Sequence, residues 1–148
     1  MVNVVVQAGS GPSDKYLYDE KTLEHKETRQ VSEPYYPYPY GFIPGTTGAD
    51  GDCVDCYVIT DEELRPGIII ECEVVGLLAQ TENNEIDHKV LAAMPGKHVD
   101  LNQELLKELQ DFIYAVFSRF PEIQVHVGPI LPREAALRYI QEAQDYPQ

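Results

Sequence analysis

Basic side chains are scarce in this chain. Its 148 residues hold 11 lysines and arginines against 25 aspartates and glutamates, a formal charge of −14. Affinity for nucleic acid comes largely from Lys and Arg neutralising phosphates. The charge balance therefore argues against a nucleic-acid or anionic-membrane partner. Long apolar runs are also missing, since none approaches the roughly 18 residues of a membrane helix. The opening Met1-Val2-Asn3-Val4-Val5-Val6 has no basic flank and no small-residue cleavage site. It does not read as a secretory signal, and a cytoplasmic protein is expected. Cysteine is sparse, at positions 53, 56 and 72. An odd, small number without a secretion signal predicts reduced thiols. Cys53 and Cys56 form a Cys-x-x-Cys, but structural zinc needs four ligands. Only Cys72 and four scattered histidines could complete the set. The pair is read as small packing residues around Asp55, with a disulfide or redox switch as the alternative.

What is present suffices for one folded domain over 1–148, with 43% hydrophobic residues and no repeat or low-complexity tract. The first half reads as strands at 2–7, 15–19, 22–30, 54–60, 68–78 and 87–94. Gly76 marks a kink or bulge in the long strand. Pro66-Gly67 is a turn, and 81–85 is a polar turn. Four prolines and four tyrosines between 33 and 48 predict an extended loop. Leu105, Leu106, Leu109, Phe112, Ile113, Val116, Phe117 and Phe120 recur at helical spacing, with Asp100 or Asn102 as cap. Pro121 ends that helix. A short strand at 123–127 follows, and Pro132 opens a last helix. Several strands followed by an amphipathic helix predict an α+β protein on a small barrel.

One segment carries chemistry. Asp50-Gly51-Asp52-Cys53-Val54-Asp55 places three carboxylates within six residues, on a turn that leads into a strand. Hard carboxylate oxygens this close repel one another unless a cation lies between them, and Mg²⁺ or Mn²⁺ suits them. Paired metal ions held by carboxylates commonly hydrolyse phosphate esters and anhydrides. A solvated acidic turn is the plain alternative. An EF-hand does not fit, because Val54 falls where a ligand belongs and Asp55 where the glycine belongs.

The surrounding residues add a family pattern. Tyr36-Pro37-Tyr38-Pro39-Tyr40-Gly41-Phe42-Ile43-Pro44-Gly45 precedes the acidic segment. Lys15-Tyr16 lies ahead of it near the start, and Asp87-His88-Lys89-Val90-Leu91-Ala92, then Asp100-Leu101 with Leu105-Leu106-Lys107, come after the acidic segment. Together they resemble soluble family I inorganic pyrophosphatases, with Cys53 in place of a signature proline. The resemblance implies an OB-like five-stranded β-barrel with flanking α-helices, and hydrolysis of pyrophosphate. It implies Asp50, Asp55 and Asp87 as ligands of the tighter Mg²⁺, with Asp55 bridging to a second ion and Mn²⁺ as a substitute metal. Asp52 would be the general base and Tyr40 would hydrogen-bond near it, with Tyr36 in support. Glu82, where the family usually has Asp, would join Asp87 on metals that enter with substrate. Lys15 and Lys89 would face phosphate, as would Arg29 if one residue is deleted between it and Tyr36; without that deletion Thr28 falls at the family's arginine. A homohexamer is the implied assembly. His88, between Asp87 and Lys89, would face away from both.

The chain departs from the family elsewhere too, including a connection from Pro95 to Val99 shorter than the family's. Gln7 aligns with a metal-binding glutamate and Leu17 with another glutamate. Phe117 and Ser118 replace a tyrosine and a lysine that reach the product phosphate. These changes fit a weakened or retuned pyrophosphatase. They also fit a hydrolase of another phosphoanhydride, or a homologue that binds metal or phosphate without turnover. A single-strand nucleic-acid binder using Tyr35, Tyr36, Tyr38 and Tyr40 as stacking platforms is disfavoured by the charge; those rings are expected to pack the loop.

Overall fold

The computed structural model describes residues 1–145. Among these, nine strands and two helices follow in chain order. They are β1 Val2–Ala8, β2 Asp14–Asp19, β3 Glu24–Gln30, β4 Tyr40–Ile43, β5 Val54–Val58, β6 Ile69–Glu82, β7 Glu85–Ile86, β8 Lys89–Ala93, α1 Gln103–Phe117, β9 Val125–Pro132 and α2 Arg133–Ala143.

Five strands close a ring. β1 pairs with β4, β4 with β5, β5 in parallel with β8, β8 with β6, and β6 returns to β1. Closure leaves the ring strands without a free edge. The architecture is α+β and OB-like. The β2–β3 hairpin extends from β1, and β9 adds along β6.

Side chains alternate between the two faces of each strand, and this decides what lies inside. Val4 and Val6 of β1, Val54, Cys56 and Val58 of β5, and Val90 and Ala92 of β8 fill the barrel. Ala136 and Ile140 of α2 join the same cluster. The intervening positions point outward. Tyr57, Leu78 and Leu91 meet Leu105, Leu109 and Ile113 of α1 on the outer wall. Asn102 caps that helix, its side-chain oxygen accepting from the Leu105 N–H at 2.9 Å.

Several expected boundaries move. The tyrosine-proline segment is not all loop, because Tyr40–Ile43 forms a ring strand. There Gly41 lets β4 approach β1: a Cβ at this position would lie 1.9 Å from the Val5 carbonyl oxygen. β6 runs on to Glu82 instead of stopping at 78, because β9 supplies partners as far as Val125. The expected kink at Gly76 appears as a register shift between β6 and β8. The chain reverses at Asn83 and Asn84, both with positive φ, so the polar turn is two residues long. Asp87 precedes β8 and lies outside it, and Phe120 lies beyond α1. β9 is longer than expected, reaching Pro132.

Candidate active site

The outward positions of four adjacent strands line up. Tyr40 of β4 pairs with Tyr57 of β5, and Phe42 pairs with Asp55. On β5 and β8, Cys56 pairs with Val90, which puts Asp55 beside Lys89 on the same outer face. Lys89 pairs with Leu78 of β6. The alternation then carries Gln80 and Glu82 to that face. One side of the barrel thereby gathers carboxylates, tyrosines and one lysine from elements far apart in sequence.

Lys89 holds the centre. It is 6% exposed, and its Nζ donates to Asp55 Oδ2 at 2.6 Å and to Asp87 Oδ2 at 3.0 Å. Burial opposes its charge, but the two carboxylates outweigh burial and raise its pKa. Burial also opposes the charge of Asp87. The hydrogen bond from Glu82 and the Lys89 ammonium overcome it, and Asp87 stays below the usual carboxylate range. Glu82 takes the other side of that bond. The hydrogen bond to Asp87, then burial, push its pKa up to about 7. Asp50 is raised by burial first, and then by the charges of Asp87, Asp52 and Asp55. Its Oδ1 accepts from the Asp52 N–H at 3.0 Å, shaping the loop. Asp52 is exposed on that loop.

The tyrosines form the flank. Tyr36 stacks on Tyr40 with ring centroids 4.9 Å apart, and Tyr40 meets Tyr57 edge-on at 5.0 Å. Burial, then the charge of Asp55, drive the Tyr40 phenol pKa well up. Tyr40 thus stands by Asp55. Lys15 Nζ donates to the Tyr36 hydroxyl at 2.9 Å and sits 5.5 Å from the Tyr36 and Tyr40 ring centroids. Arg29 pairs with Lys15 across the β2–β3 hairpin, but its guanidinium is held by Glu27 at 3.0 Å. His88 turns toward Tyr139, and its Nδ1 accepts from the Gln80 N–H at 2.9 Å. Cys53, Cys56 and Cys72 are buried free thiols.

Two residues here escaped the sequence reading. Glu20, on the β2–β3 turn, accepts from the Cys53 N–H at 2.9 Å. Burial raises its carboxyl pKa, and the charges of Asp52 and Asp55 add to that. A turn glutamate gives no sequence signal for this. Gln80 is 2% exposed, and its side-chain oxygen has no partner among the described residues. It lines a cavity of about 160 Å³ with Tyr36, Tyr40, Lys89, Glu82 and Phe117. Its two-residue spacing from Leu78 and Glu82 was the available signal, hidden by ending the strand early. Phe117 therefore faces this cavity, whereas Ser118 is exposed and turns its hydroxyl to the Ala115 carbonyl at 2.7 Å. Gln7 is buried, and its Nε2 donates to the Tyr16 carbonyl at 3.2 Å.

The donor set suits a hard divalent cation: Asp50, Asp55, Asp87 and Glu82 offer only oxygens. Among the described residues no three such side chains already stand within the span of one ion. Lys89 bridges Asp55 and Asp87 instead, its one positive charge set against their two negative charges. No helix among the described residues is long and apolar enough to cross a membrane.

Known proteins give the arrangement its family. The family pattern described as inorganic pyrophosphatase matches residues 4–147. The inorganic pyrophosphatase of Sulfolobus acidocaldarius is 33% identical over 133 residues, covering 89% of this chain and 76% of that protein. That of Nanoarchaeum equitans is 31% identical, covering 97% and 96%. The crystal structure of inorganic pyrophosphatase from Thermus thermophilus superposes with a TM-score of 0.80 at 29% identity, covering 95% of this chain and 87% of that one. With the closed ring and its outer acidic face, these likenesses establish that the chain belongs to the inorganic pyrophosphatase family.

Proposed function

We propose that this protein is an inorganic diphosphatase that hydrolyses pyrophosphate to two phosphates, using Mg²⁺, or Mn²⁺ in its place, and Asp52 as general base. The observation that carries the reading is the gathering of Asp55, Asp87 and Glu82 around Lys89 on one barrel face, with Asp50 and Asp52 on the adjoining loop. Bound there, divalent ions would bring the pKa of a water toward neutrality and draw charge from the phosphoryl oxygens.

The protein's own groups divide the remaining work. Asp50, Asp55 and Asp87 supply anionic oxygens for the tighter ion, and Glu82 with Asp87 supplies them for ions that enter with substrate. Asp52 is exposed and, among the described residues, is in no ion pair, so its carboxylate can take a proton from the attacking water. The water oxygen forms the new bond to phosphorus, and the bridging oxygen leaves with the other phosphate. Tyr40 stands against Asp55 and orders that edge. Lys15, steadied by Tyr36, and Lys89 face the phosphoryl oxygens, with Arg29 at the hairpin. The resemblance also supports a homohexamer in the cytoplasm, the former checked by sedimentation.

A second reading is a homologue that binds without turnover. It is favoured by Phe117, which lines the cavity and has no hydrogen-bond donor. Phosphate release from pyrophosphate, tripolyphosphate and a nucleoside triphosphate, each with Mg²⁺, separates the readings. The diphosphatase reading expects pyrophosphate to be turned over fastest. Faster release from another anhydride would make it a different hydrolase, and release from none would make it a binding module.

A further inference from the structure

Where the acidic loop enters β5, three consecutive backbone N–H groups each donate to a side-chain oxygen. Asp52 donates to Asp50 Oδ1 at 3.0 Å, and Val54 donates to Thr46 Oγ1 at 2.9 Å. Both acceptors belong to the loop or its near flank. Thr46 is 2% exposed and is fixed in turn, its hydroxyl donating to the Ile43 carbonyl at 2.6 Å. The Gly48 N–H closes the loop on the Asp52 carbonyl at 2.7 Å. The N–H between them, that of Cys53, donates to Glu20 Oε1 at 2.9 Å, from 33 residues away.

Glu20 is presented by a stiff turn. Asp19 Oδ1 accepts from the Lys21 and Thr22 N–H groups at 3.0 and 3.1 Å, and the Asp19 carbonyl accepts from the Leu23 N–H at 2.7 Å. Lys21 ties the tip down a second time, donating to the Thr47 hydroxyl and to Asp145. The hairpin tip thereby grips both ends of the acidic loop, at 47 and at 53. A turn acid facing solvent is the plain reading of Glu20. It does not account for a half-buried carboxylate set beside the charges of Asp52 and Asp55. Like charges brought together cost free energy. What offsets that cost is the Cys53 N–H, on a residue only 3% exposed. A buried donor without an acceptor carries its full desolvation penalty.

Asp52 itself is exposed, so its carboxylate takes its direction from the backbone on either side. Asp50 fixes its N–H, Gly48 fixes its carbonyl, and Glu20 fixes the next N–H. We infer that Glu20 is a positioning residue for Asp52, holding the proposed base at the angle from which it meets the attacking water. The role rests on the diphosphatase reading, but the anchor can be tested without turnover.

Two measurements on the full chain test it: hydrogen exchange of the amides at 52–54, and steady-state kinetics with pyrophosphate and Mg²⁺. Glu20→Ala should speed exchange at Cys53 about tenfold or more. A misplacement of about 1 Å can slow a reaction a hundredfold. Folded Glu20→Ala should therefore lose about ten- to a hundredfold in kcat, with KM within about twofold of the parent. A merely structural anchor would lower the urea midpoint and leave kcat of the folded protein in place. Glu20→Gln keeps a carbonyl acceptor at the same reach and should restore slow exchange and most of kcat. Lys26→Gln, which removes an exposed cation from the same hairpin, should change neither.

Cys53 exchange as slow in Glu20→Ala as in the parent, an unchanged kcat in that variant, a loss in Glu20→Gln as large as in Glu20→Ala, or an equal loss in Lys26→Gln would each overturn the assignment. A parent that releases no phosphate from pyrophosphate, yet loses Cys53 protection in Glu20→Ala, would contradict the diphosphatase reading and with it the role of Asp52, while leaving Glu20 as the anchor of the loop.

Discussion

Lys89 and Asp55 meet across the parallel pair of β5 and β8, ammonium nitrogen to carboxylate oxygen at 2.6 Å. Their side chains are 8% and 20% exposed. The lysine also holds Asp87, so one ammonium bridges the two carboxylates and offsets one of their two charges. Removing one partner of a buried pair leaves the others uncompensated, at a cost of about 3 kcal/mol or more. Lys89→Met should lower stability by that amount in urea titrations with chelator present. Added Mg²⁺ should recover part of the loss, because a divalent ion can serve the same carboxylates. Unchanged stability in chelator would mean that the pair is not coupled as drawn.

Glu82 makes a pH prediction. Its pKa in the fold is about 7, raised by its hydrogen bond to Asp87 and by burial, against about 4.3 for a free glutamate. The folded state therefore holds the proton more tightly. The stability this contributes is full below the unfolded pKa and is lost as pH rises toward 7. In chelator, the parent should lose stability between roughly pH 4.3 and 7 relative to Glu82→Gln. Parallel curves for the two proteins would contradict the shared proton.

The proposed base and the proposed bridging ligand should separate. Asp52→Asn should nearly abolish turnover and leave metal affinity largely intact, because the amide cannot take the water's proton. Asp55→Asn should weaken metal binding as well, since an anionic ligand is lost. Calorimetric metal titrations giving the opposite order would exchange the two roles.

Phe117 faces the cavity that Lys89, Glu82 and Gln80 line, so a hydroxyl added there would enter it. The pair Phe117→Tyr, Ser118→Lys should raise kcat/KM for pyrophosphate about tenfold. Ser118 is exposed and points back to its helix. Phe117→Tyr alone should therefore give a measurable share of the gain. No gain from a folded double variant would mean that another cation already fills this place, or that the site serves a different substrate.

Gly41→Ala tests the ring closure. The added methyl would meet the Val5 carbonyl at 1.9 Å, and β1 and β4 would have to part. The expected destabilisation is about 3 kcal/mol or more, read as a fall in urea midpoint.

Local chemistry made much of this legible. The barrel interior follows from alternation at 54, 56 and 58 and at 90 and 92, and the helix face from leucines three and four apart. The acidic turn was visible because three carboxylates fall within six residues. What could not be read was set by distant partners. β4 was hidden because Pro37 and Pro39 dominate the local pattern, and only β1 and β5 make Tyr40–Ile43 a strand. β6 looked finished at Leu78 because its last residues are polar, and β9 extends it. Glu20 reaches Cys53 through the hairpin turn, which no spacing in the sequence encodes. Lys89 was expected to face phosphate, and its bonds to Asp55 and Asp87 were not foreseen.

The central claim is metal-dependent hydrolysis at the carboxylate face. The most direct test is phosphate release from pyrophosphate by the purified protein, with Mg²⁺ and with excess chelator, beside Asp52→Asn under the same conditions. The account predicts release with Mg²⁺, none above background in chelator, and almost none from Asp52→Asn even with Mg²⁺. Equal release in chelator, or full activity in Asp52→Asn, would contradict it.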